Sequence, residues 1–494
     1  MLINKLYKKG IISPSGIFRL SSAIISEGMN LMTLLSWAAK IRKQKATISD
    51  ENQTLSYADL YLDSMTLAKH LKKDYIQGKQ SKIAIIGRNH LDTVKSIFAV
   101  SRAGADVFML NVEIRKEQFD KLCQRFKFGL VILDDDLENL KDGLDMKALS
   151  MSSISELSKN TVKFKLPKAF GGKLTVLTGG STGDPKAASR KPSISAYFNP
   201  FSALLEKVQL DRYKSVYVGT PVYHGFGVAT VFAGMALGAN LYMRRKFIAA
   251  DACKLVEEHK IEVLTLVPLM LKRMIEYNSS HLASVQAYLT GGAPLGPDVI
   301  MLSQEKIGDK LFNLYGTSEA GFCIMASPQD LRKELCTIGK PVKGVKLFIL
   351  DNDNKPVKGT DTGKLCVKAG WSVNKSAYIE TGDLAYRDEH GFIFLKGRSD
   401  DMIVSGGENV YPLELENILL QHPDTEQVAV FGIEDSEFGQ RLKAVVSTRN
   451  NIAIDEGELR AWLKPRCTRY QMPKVIEFKS IEFSELGKIN KKNL

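Results

Sequence analysis

The chain has 494 residues, 44% of them hydrophobic and 25% charged, which is long enough for two or three domains with a sizeable core. Its formal net charge of +13 suits anionic small molecules or an acidic membrane surface, whereas the even spread of the basic residues and the lack of any nucleic-acid motif exclude a nucleic-acid partner. The six cysteines, at 123, 253, 323, 336, 366 and 467, form no C-x-x-C pair and the seven histidines are scattered, so neither a metal-ligand spacing nor a disulfide framework is expected.

That cysteine usage implies a reducing compartment, hence the cytoplasm. Lys5, Lys8 and Lys9 open the chain without a long apolar core or a small-residue cleavage site after them, so no signal peptide is read. Residues 13–45 read as a helix, with Ser13 as N-cap and Pro14 at the first position. Its apolar stripe (Ile17, Leu20, Ile24, Ile25, Met29, Leu31, Leu34) either packs on the core or touches a membrane, and core packing is the expected fate. A further helix is expected from Thr54-Leu55-Ser56-Tyr57. From residue 82 the pattern alternates: strands at 83–86, 107–110 and 130–133, helices at 91–103 and 116–126. Continuous apolar runs separated by helices imply an α/β fold whose parallel sheet is covered on both faces.

The stretch Thr178-Gly179-Gly180-Ser181-Thr182-Gly183-Asp184-Pro185-Lys186 follows a strand at 174–177. Glycines let backbone N–H groups turn toward an anion, hydroxyls add donors, and Lys186 adds charge. That is the chemistry of a phosphate cradle, although it is not a Walker A loop, because no Gly-Lys-Ser/Thr ends it. An ordinary polar surface loop is the alternative. Beyond it come strands at 215–218, 263–267, 287–289 and 311–314, with helices at 228–239 and from Pro268 and Pro297. The apolar run 227–243 falls short of a membrane span and reads as a buried helix leading into a strand. Ligands in such sheets sit at the carboxyl ends of strands. The glycine loop, Gly291-Gly292-Ala293-Pro294 and Tyr315-Gly316-Thr317-Ser318-Glu319 occupy those ends. After residue 338 short strands suggest a small antiparallel unit, and after Gly397-Arg398-Ser399-Asp400 a compact α+β tail follows.

Taken together these segments resemble the adenylate-forming superfamily of acyl-CoA synthetases, adenylation domains and luciferases. The glycine loop is similar to T-S-G-T-T-G-x-P-K-G, with Gly179 for serine and Ala187 for the last glycine. Pro221-Val222-Tyr223-His224-Gly225-Phe226-Gly227 matches P-x-x-H-x-x-G, residues 291–295 match G-G-A-P-L, and residues 315–319 match Y-G-x-T/S-E. Thr381-Gly382-Asp383, Gly397-Arg398-Ser399-Asp400, Ser405-Gly406-Gly407-Glu408 and Gly487-Lys488-Ile489 match the later motifs in order, although the proline usual before Gly487 is absent.

The resemblance implies two domains, 1–399 for adenylation and a mobile 400–494, with Asp400 as hinge. It implies that a carboxylate attacks the α-phosphate of Mg-ATP, releasing pyrophosphate, and that a thiol then displaces AMP. Thr178, Gly179, Gly180, Ser181, Thr182, Gly183 and Lys186 would hold the departing pyrophosphate, and Glu319 would hold Mg²⁺. Ser318 would contact the α-phosphate. Tyr315, with Gly316 and Thr317 after it, would lie on the adenine, with Gly291, Gly292, Ala293 and Pro294 against its other side. Asp383 and Arg398 would take the ribose, and Lys488 would bridge carboxylate and α-phosphate. His224, Gly225, Phe226, Val228 and Phe322 would shape the acyl pocket, with His224 alternatively a packed core histidine. A turn about Asp400 would withdraw Lys488 and bring Gly406 and Gly407 to the pantetheine of CoA.

Gly87-Arg88-Asn89-His90, Gly104-Ala105-Asp106 and residues 186–190 resemble a bacterial group of fatty acyl-CoA synthetases. The expected partners are therefore a small aliphatic carboxylic acid, ATP and CoA. Phe226 and Phe322 suggest a narrowed tunnel for short, branched or medium chains. The alternatives are an acyl-AMP ligase that loads a carrier protein and an adenylate-binding protein with weak turnover. The charge leaves room for weak peripheral contact with the inner membrane face, and the assembly is expected to be a monomer or a homodimer.

Overall fold

The apolar runs form the strands expected of them. The fold is that of a computed structural model, which describes residues 2–42, 44–76, 81–143, 145–178, 186–191, 194–405, 408–435, 438–449 and 452–482, without the side chains of Thr178, Lys186 and residues 194–197. The chain divides into two units, Met1–Leu266 with Ser280–Tyr288, and Val267–Ser279 with Leu289–Leu494.

In the first unit the strands are, in chain order, β1 (Thr47–Ser49), β2 (Thr54–Ser56), β3 (Lys82–Ile86), β4 (Asp106–Met109), β5 (Leu130–Leu133), β6 (Lys147–Ser150), β7 (Leu174–Thr178), β8 (Lys186–Arg190), β9 (Ser215–Val218), β10 (Asn240–Met243) and β11 (Val263–Leu266). One sheet has the order β6-β5-β3-β4-β7-β8, parallel throughout except for the β7–β8 pair. The other set runs β11-β9-β10-β1-β2, parallel except for β1–β2. A core of Ile83, Ile85, Val107, Met109, Val131 and Leu133 with Leu67, Phe119 and Ile154 fills the six-stranded sheet's flanks. Parallel strands covered on both faces need continuous apolar runs, which is why this region is legible in the sequence.

Helix Leu91–Arg102 is buried at every residue but Asp92. Its two cations are neutralised inside: Lys95 pairs with Asp63 and Asp92 at 3.2 and 3.1 Å, and Arg102 with the buried Glu27 at 2.8 Å. Buried charge is tolerated only when paired in this way.

Four expectations need correction. The helix over 13–45 is two helices, Pro14–Glu27 and Met32–Arg42, interrupted at Gly28, whose φ of 88° no helical residue adopts. Ser13 caps the first as expected, accepting from the Gly16 amide at 3.1 Å. The stripe on that helix does not all pack on the core, since Ile17, Ile25 and Met29 are exposed. Residues 54–56 form β2 before helix Tyr57–His70 begins, with Ser56 as its N-cap. Residues 186–190 are a strand, so the glycine stretch joins the two arms of a hairpin whose last pair is Thr178 with Lys186. Residues 179–185 lie outside the described residues.

In the second unit the strands are β12 (Ala287–Gly291, of which the last three residues belong here), β13 (Leu311–Thr317), β14 (Gly321–Ala326), β15 (Lys340–Pro341), β16 (Val345–Leu350), β17 (Gly363–Ala369), β18 (Ile379–Arg387), β19 (Ile393–Arg398), β20 (Ile403–Ser405), β21 (Glu408–Val410), β22 (Thr425–Asp435), β23 (Gly439–Thr448) and β24 (Val475–Phe478). The order β15-β14-β13-β12 ends in antiparallel pairs, β16-β17-β18-β19 is an antiparallel sheet, and β21-β20-β23-β22 carries β24 parallel to β23. The small antiparallel unit expected after residue 338 is the second of these. Helices Pro412–Leu419 and Glu456–Leu463 cover the third, around Leu415, Val430, Leu442 and Leu459. The buried Lys272, on helix Pro268–Asn278, donates to Asp298 Oδ2 at 2.7 Å and to the Glu426 carbonyl on β22 at 2.8 Å.

Among the described residues no helix is long and apolar enough to cross a membrane. The apolar stretch 227–243 divides into helix Gly225–Leu237 and strand β10.

Candidate active site

The second unit brings one expected set together. β18 and β19 are antiparallel with Asp383 directly opposite Arg398. Gly382, at φ 81°, bends the strand, and a side chain there would meet the Arg398 guanidinium at 2.8 Å. The missing Cβ lets that guanidinium fold across the strand. Arg398 Nη1 donates to Asp383 Oδ1 at 3.2 Å and to the Thr381 carbonyl at 3.1 Å, and its Nε to Asp400 Oδ1 at 3.2 Å. Thr381 Oγ1 donates to the Leu365 carbonyl and accepts from the Asp383 amide at 3.2 Å, which fixes the start of the turn.

Tyr315 stands on β13 and packs on the cluster of Ala320, Ile324, Leu365 and Ala385. Its hydroxyl donates to Asp383 Oδ2. Burial raises the Asp383 carboxyl above the ordinary range, outweighing the Tyr315 and Arg398 bonds that hold it down. Burial and the neighbouring carboxylate likewise push the Tyr315 phenol well up, so it is a donor at any physiological pH. One carboxylate thus carries a phenol and a guanidinium and keeps further lone-pair directions for a diol.

β13 does not stop at Tyr315. It runs to Thr317, turns through Ser318, Glu319 and Ala320, and returns as β14, with a bulge between Tyr315 and Gly316. The expected loop over 315–319 is therefore half strand and half hairpin tip. Thr317 Oγ1 accepts from the Ala320 amide at 3.1 Å, and the Glu319 carbonyl accepts from Val373 N at 2.9 Å, so the tip is pinned at both ends. Gly316 and Phe322 are cross-strand partners, with Phe322 half-buried. Among the described residues no group of three His, Cys, Asp or Glu side chains could hold a metal. A single half-buried carboxylate, Glu319, fits Mg²⁺ that arrives with phosphate oxygens and water as its other ligands.

Strand β12 ends at Gly291, and Gly292, at φ 82°, opens the turn through Ala293 and Pro294 to helix Pro297–Lys306. The Gly-Gly-Ala-Pro stretch thus lies at the carboxyl end of its strand, as expected.

In the first unit Asn89, buried at the end of β3, fixes the segment that carries His224. Its Nδ2 donates to the carbonyls of Val218 and Thr220 at 3.0 and 3.1 Å, and its Oδ1 accepts from Val222 N at 2.7 Å. That segment turns through Pro221, whose carbonyl accepts from His224 N at 3.0 Å. His224 is the N-cap residue of helix Gly225–Leu237, with its ring 4.7 Å from that of Tyr223. His224, Gly225 and Phe226 are half-buried, whereas Val228 is buried in the core cluster with Tyr223.

Beside Asn89, Arg88 and His90 both bond Asp134 at 2.7 Å. The Thr93 amide donates to His90 Nδ1, which places the ring proton on Nε2, toward Asp134. Burial alone would raise Asp134, but His90, Arg88 and Arg245 bring it down to about 2. The Arg-Asn-His run at 88–90 stands out in the sequence only by resemblance; the role of Asn89 depends on carbonyls 129 to 131 residues away, which no local pattern reveals.

Replacing Asn89 by alanine leaves two carbonyls and an amide without their partner in a buried place. The expected loss is about 2–4 kcal/mol of unfolding free energy, read by denaturant titration, with the KM for the acid rising more than that for ATP.

Lys488, Gly406 and Gly407 lie outside the described residues, as do the side chains of Thr178 and Lys186. Gly406 and Gly407 join Ser405 of β20 to Glu408 of β21, which are paired.

The profile of the AMP-binding enzyme family matches residues 35–374, and that of the AMP-binding enzyme C-terminal domain matches residues 414–488. The 2-succinylbenzoate–CoA ligase of Geobacillus kaustophilus is 27% identical, covering 91% of this chain and 94% of its own. The medium/long-chain-fatty-acid–CoA ligase FadD8 of Mycobacterium tuberculosis is 32% identical, covering 64% of this chain and 59% of its own. The o-succinylbenzoate coenzyme A synthetase of Bacillus subtilis, solved with ATP and magnesium, superposes with a TM-score of 0.83 at 22% identity, covering 93% of this chain and 98% of its own. With both profiles matched in order and the strand ends of the second unit carrying the expected residues, the chain belongs to the adenylate-forming superfamily of AMP-binding enzymes.

Proposed function

We propose that this chain is an acid–thiol ligase that converts an apolar carboxylic acid to its CoA thioester through an acyl-AMP. The observation that carries the reading is the carboxylate of Asp383, shared by Tyr315 and Arg398, with its own amide held by Thr381 Oγ1. A ribose diol is the small-molecule group that such a doubly supported acceptor suits.

In this reading the acid's carboxylate oxygen attacks the α-phosphorus and the bond to the β-phosphate oxygen breaks. Thr178, the glycine stretch and Lys186 hold the departing pyrophosphate, and Glu319 would hold Mg²⁺, which would supply positive charge to the phosphates. Ser318, at the tip of the β13–β14 hairpin, faces the α-phosphate. The CoA sulfur then attacks the acyl carbon and AMP leaves. Residues 400–494 act as the mobile part, turning at Asp400.

For the acid, the aromatic residues that the sequence carries at 226 and 322, in segments similar to the family's acyl-pocket motifs, favour a short, branched or medium aliphatic chain. The 2-succinylbenzoate relatives favour a second reading, an aryl acid. A panel of acids with ATP and CoA separates them. The aliphatic reading expects fastest thioester formation on short to medium or branched acids; fastest turnover on a long saturated acid removes the narrowing, and fastest turnover on an aryl acid replaces it. Carboxylate-dependent ATP–pyrophosphate exchange without a CoA product would assign the chain to carrier-protein loading. Nucleotide binding with no exchange on any acid would leave an adenylate-binding protein.

A further inference from the structure

Helix Pro14–Glu27 turns apolar side chains outward where a core-facing helix would hide them. Ile17, Phe18 and Ile25 are 52, 74 and 66% exposed, and Ile25 stands seven and eight residues after Phe18 and Ile17, two turns on along the same side of the helix. Met29, just past the helix, is 43% exposed. The chain brings a second segment to this end. The Gly171 amide donates to the Met29 carbonyl at 3.2 Å, the Ala169 carbonyl accepts from Asn30 Nδ2 at 3.0 Å, and Arg102 holds the Pro167 carbonyl at 2.7 Å. These bonds fix Phe170, 75% exposed, beside Met29. An apolar cluster of this kind on a soluble surface marks an interaction site.

The segments that carry it are basic, although Lys5 is paired with Asp211 at 3.1 Å. Residues 1–49 carry eight Lys or Arg and a single acid, Glu27, and residues 157–174 carry five lysines and no acid. Glu27 is buried, bonded by Arg102 at 2.8 Å and by the Tyr61 hydroxyl at 2.7 Å, so it presents no negative charge outward. Lys163, Lys165 and Lys168 are exposed along the extended segment that ends in Phe170. Large exposed apolar side chains framed by lysine and arginine are the composition of an interfacial helix. A second copy of this chain fits the face less well, because a twofold contact sets basic segment against basic segment.

We propose that this face seats the protein on an anionic lipid surface, with Ile17, Phe18, Ile25, Met29 and Phe170 in the headgroup–acyl boundary and the lysines of 157–174 over the phosphates. The attachment is peripheral and reversible, and it does not depend on which acid is activated.

The test is flotation of the purified full chain with vesicles of phosphatidylglycerol and phosphatidylcholine in equal parts, against phosphatidylcholine alone. Partition onto the anionic vesicles is expected to be at least about tenfold stronger and to fall steeply from about 0.1 to about 1 M salt, which shortens the screening length from about 10 to about 3 Å. The double variant Phe18→Ser, Ile25→Ser is expected to lower that partition by about tenfold or more while ATP–pyrophosphate exchange is unchanged. The triple variant Lys163→Gln, Lys165→Gln, Lys168→Gln is expected to erase the preference for anionic vesicles. Equal flotation on both vesicle types, or a double variant that floats like the unaltered protein, overturns the proposal. So does a concentration-dependent dimer that Phe18→Ser, Ile25→Ser dissolves without any flotation, which would give the face to a second copy.

Discussion

Replacing Lys488 by alanine is expected to slow adenylation by about 10²–10³-fold while leaving thioester formation from supplied acyl-AMP within about twofold. The argument is electrostatic. In the first half-reaction a carboxylate approaches an α-phosphate, and two unit charges about 4 Å apart repel by about 4 kcal/mol at an effective dielectric near 20. A lysine placed between them removes that repulsion in the transition state. In the second half-reaction the acid is already held as a mixed anhydride with AMP, and the thiol meets an acyl carbon that no longer carries a carboxylate charge. The two rates are measured separately, by ATP–pyrophosphate exchange and by CoA thioester release from synthetic acyl-AMP. Equal loss of both would remove Lys488 from the phosphate and with it the turn about Asp400.

The second large effect falls on Asp383. Asp383→Asn keeps the shape but gives up the charge and one acceptor. Each hydrogen bond to a charged group contributes about 1.5–3 kcal/mol, so losing one toward a ribose diol raises the Kd for AMP and ATP by about 10- to 10²-fold. The stability response has the opposite sign. Because burial raises the folded-state pKa of Asp383, its ionised form is disfavoured by folding, and stability from this group is greater at low pH and falls as pH rises through that pKa. A neutral amide is released from that penalty, so the unfolding temperature at pH 7 is expected to hold or to rise. Calorimetric titration of AMP and a thermal melt of the same sample check both. An unchanged Kd would take Asp383 out of nucleotide binding, and a large drop in melting temperature would make it a structural residue of the β18–β19 turn.

The parallel strands β3, β4, β5, β9 and β11 are legible in the sequence because each is buried on both faces and reads as an unbroken apolar run. The helices from Pro14, Pro268 and Pro297 are legible through proline at the first position. What local pattern hides is the antiparallel pairing. Strand β8 (Lys186–Arg190) has two charged ends, and β18 contains Thr381-Gly382-Asp383; both look like loop until a partner supplies the ladder. Strand β14 follows a three-residue turn too soon after β13 to register as a separate element. The exposed side of helix Pro14–Glu27 is hidden for a different reason, since hydrophobic periodicity reports that a stripe exists but not what covers it.

The proposed nucleotide residues stand out in the sequence only as motifs, and the bonds that join them do not show there at all. Nothing local in Tyr315 announces a bond to a carboxylate 68 positions later. Arg398 likewise joins Asp383 to Asp400 in one guanidinium, which ties the proposed ribose acceptor to the proposed hinge residue. Resemblance named both ends of these bonds without showing that they meet.

Lys272 has a consequence for how the molecule waits between turnovers. Its ammonium is shared between Asp298 and the backbone of β22. A turn at Asp400 that carries β22 away would strip one oxygen from a cation that stays buried against Asp298. A bond of that kind is worth about 1.5–3 kcal/mol, which by itself biases the occupancy of the latched arrangement over the released one by about ten- to a hundredfold. In the proposed turn at Asp400, Lys272 would therefore act as a detent on the resting state, far from the hinge residue itself.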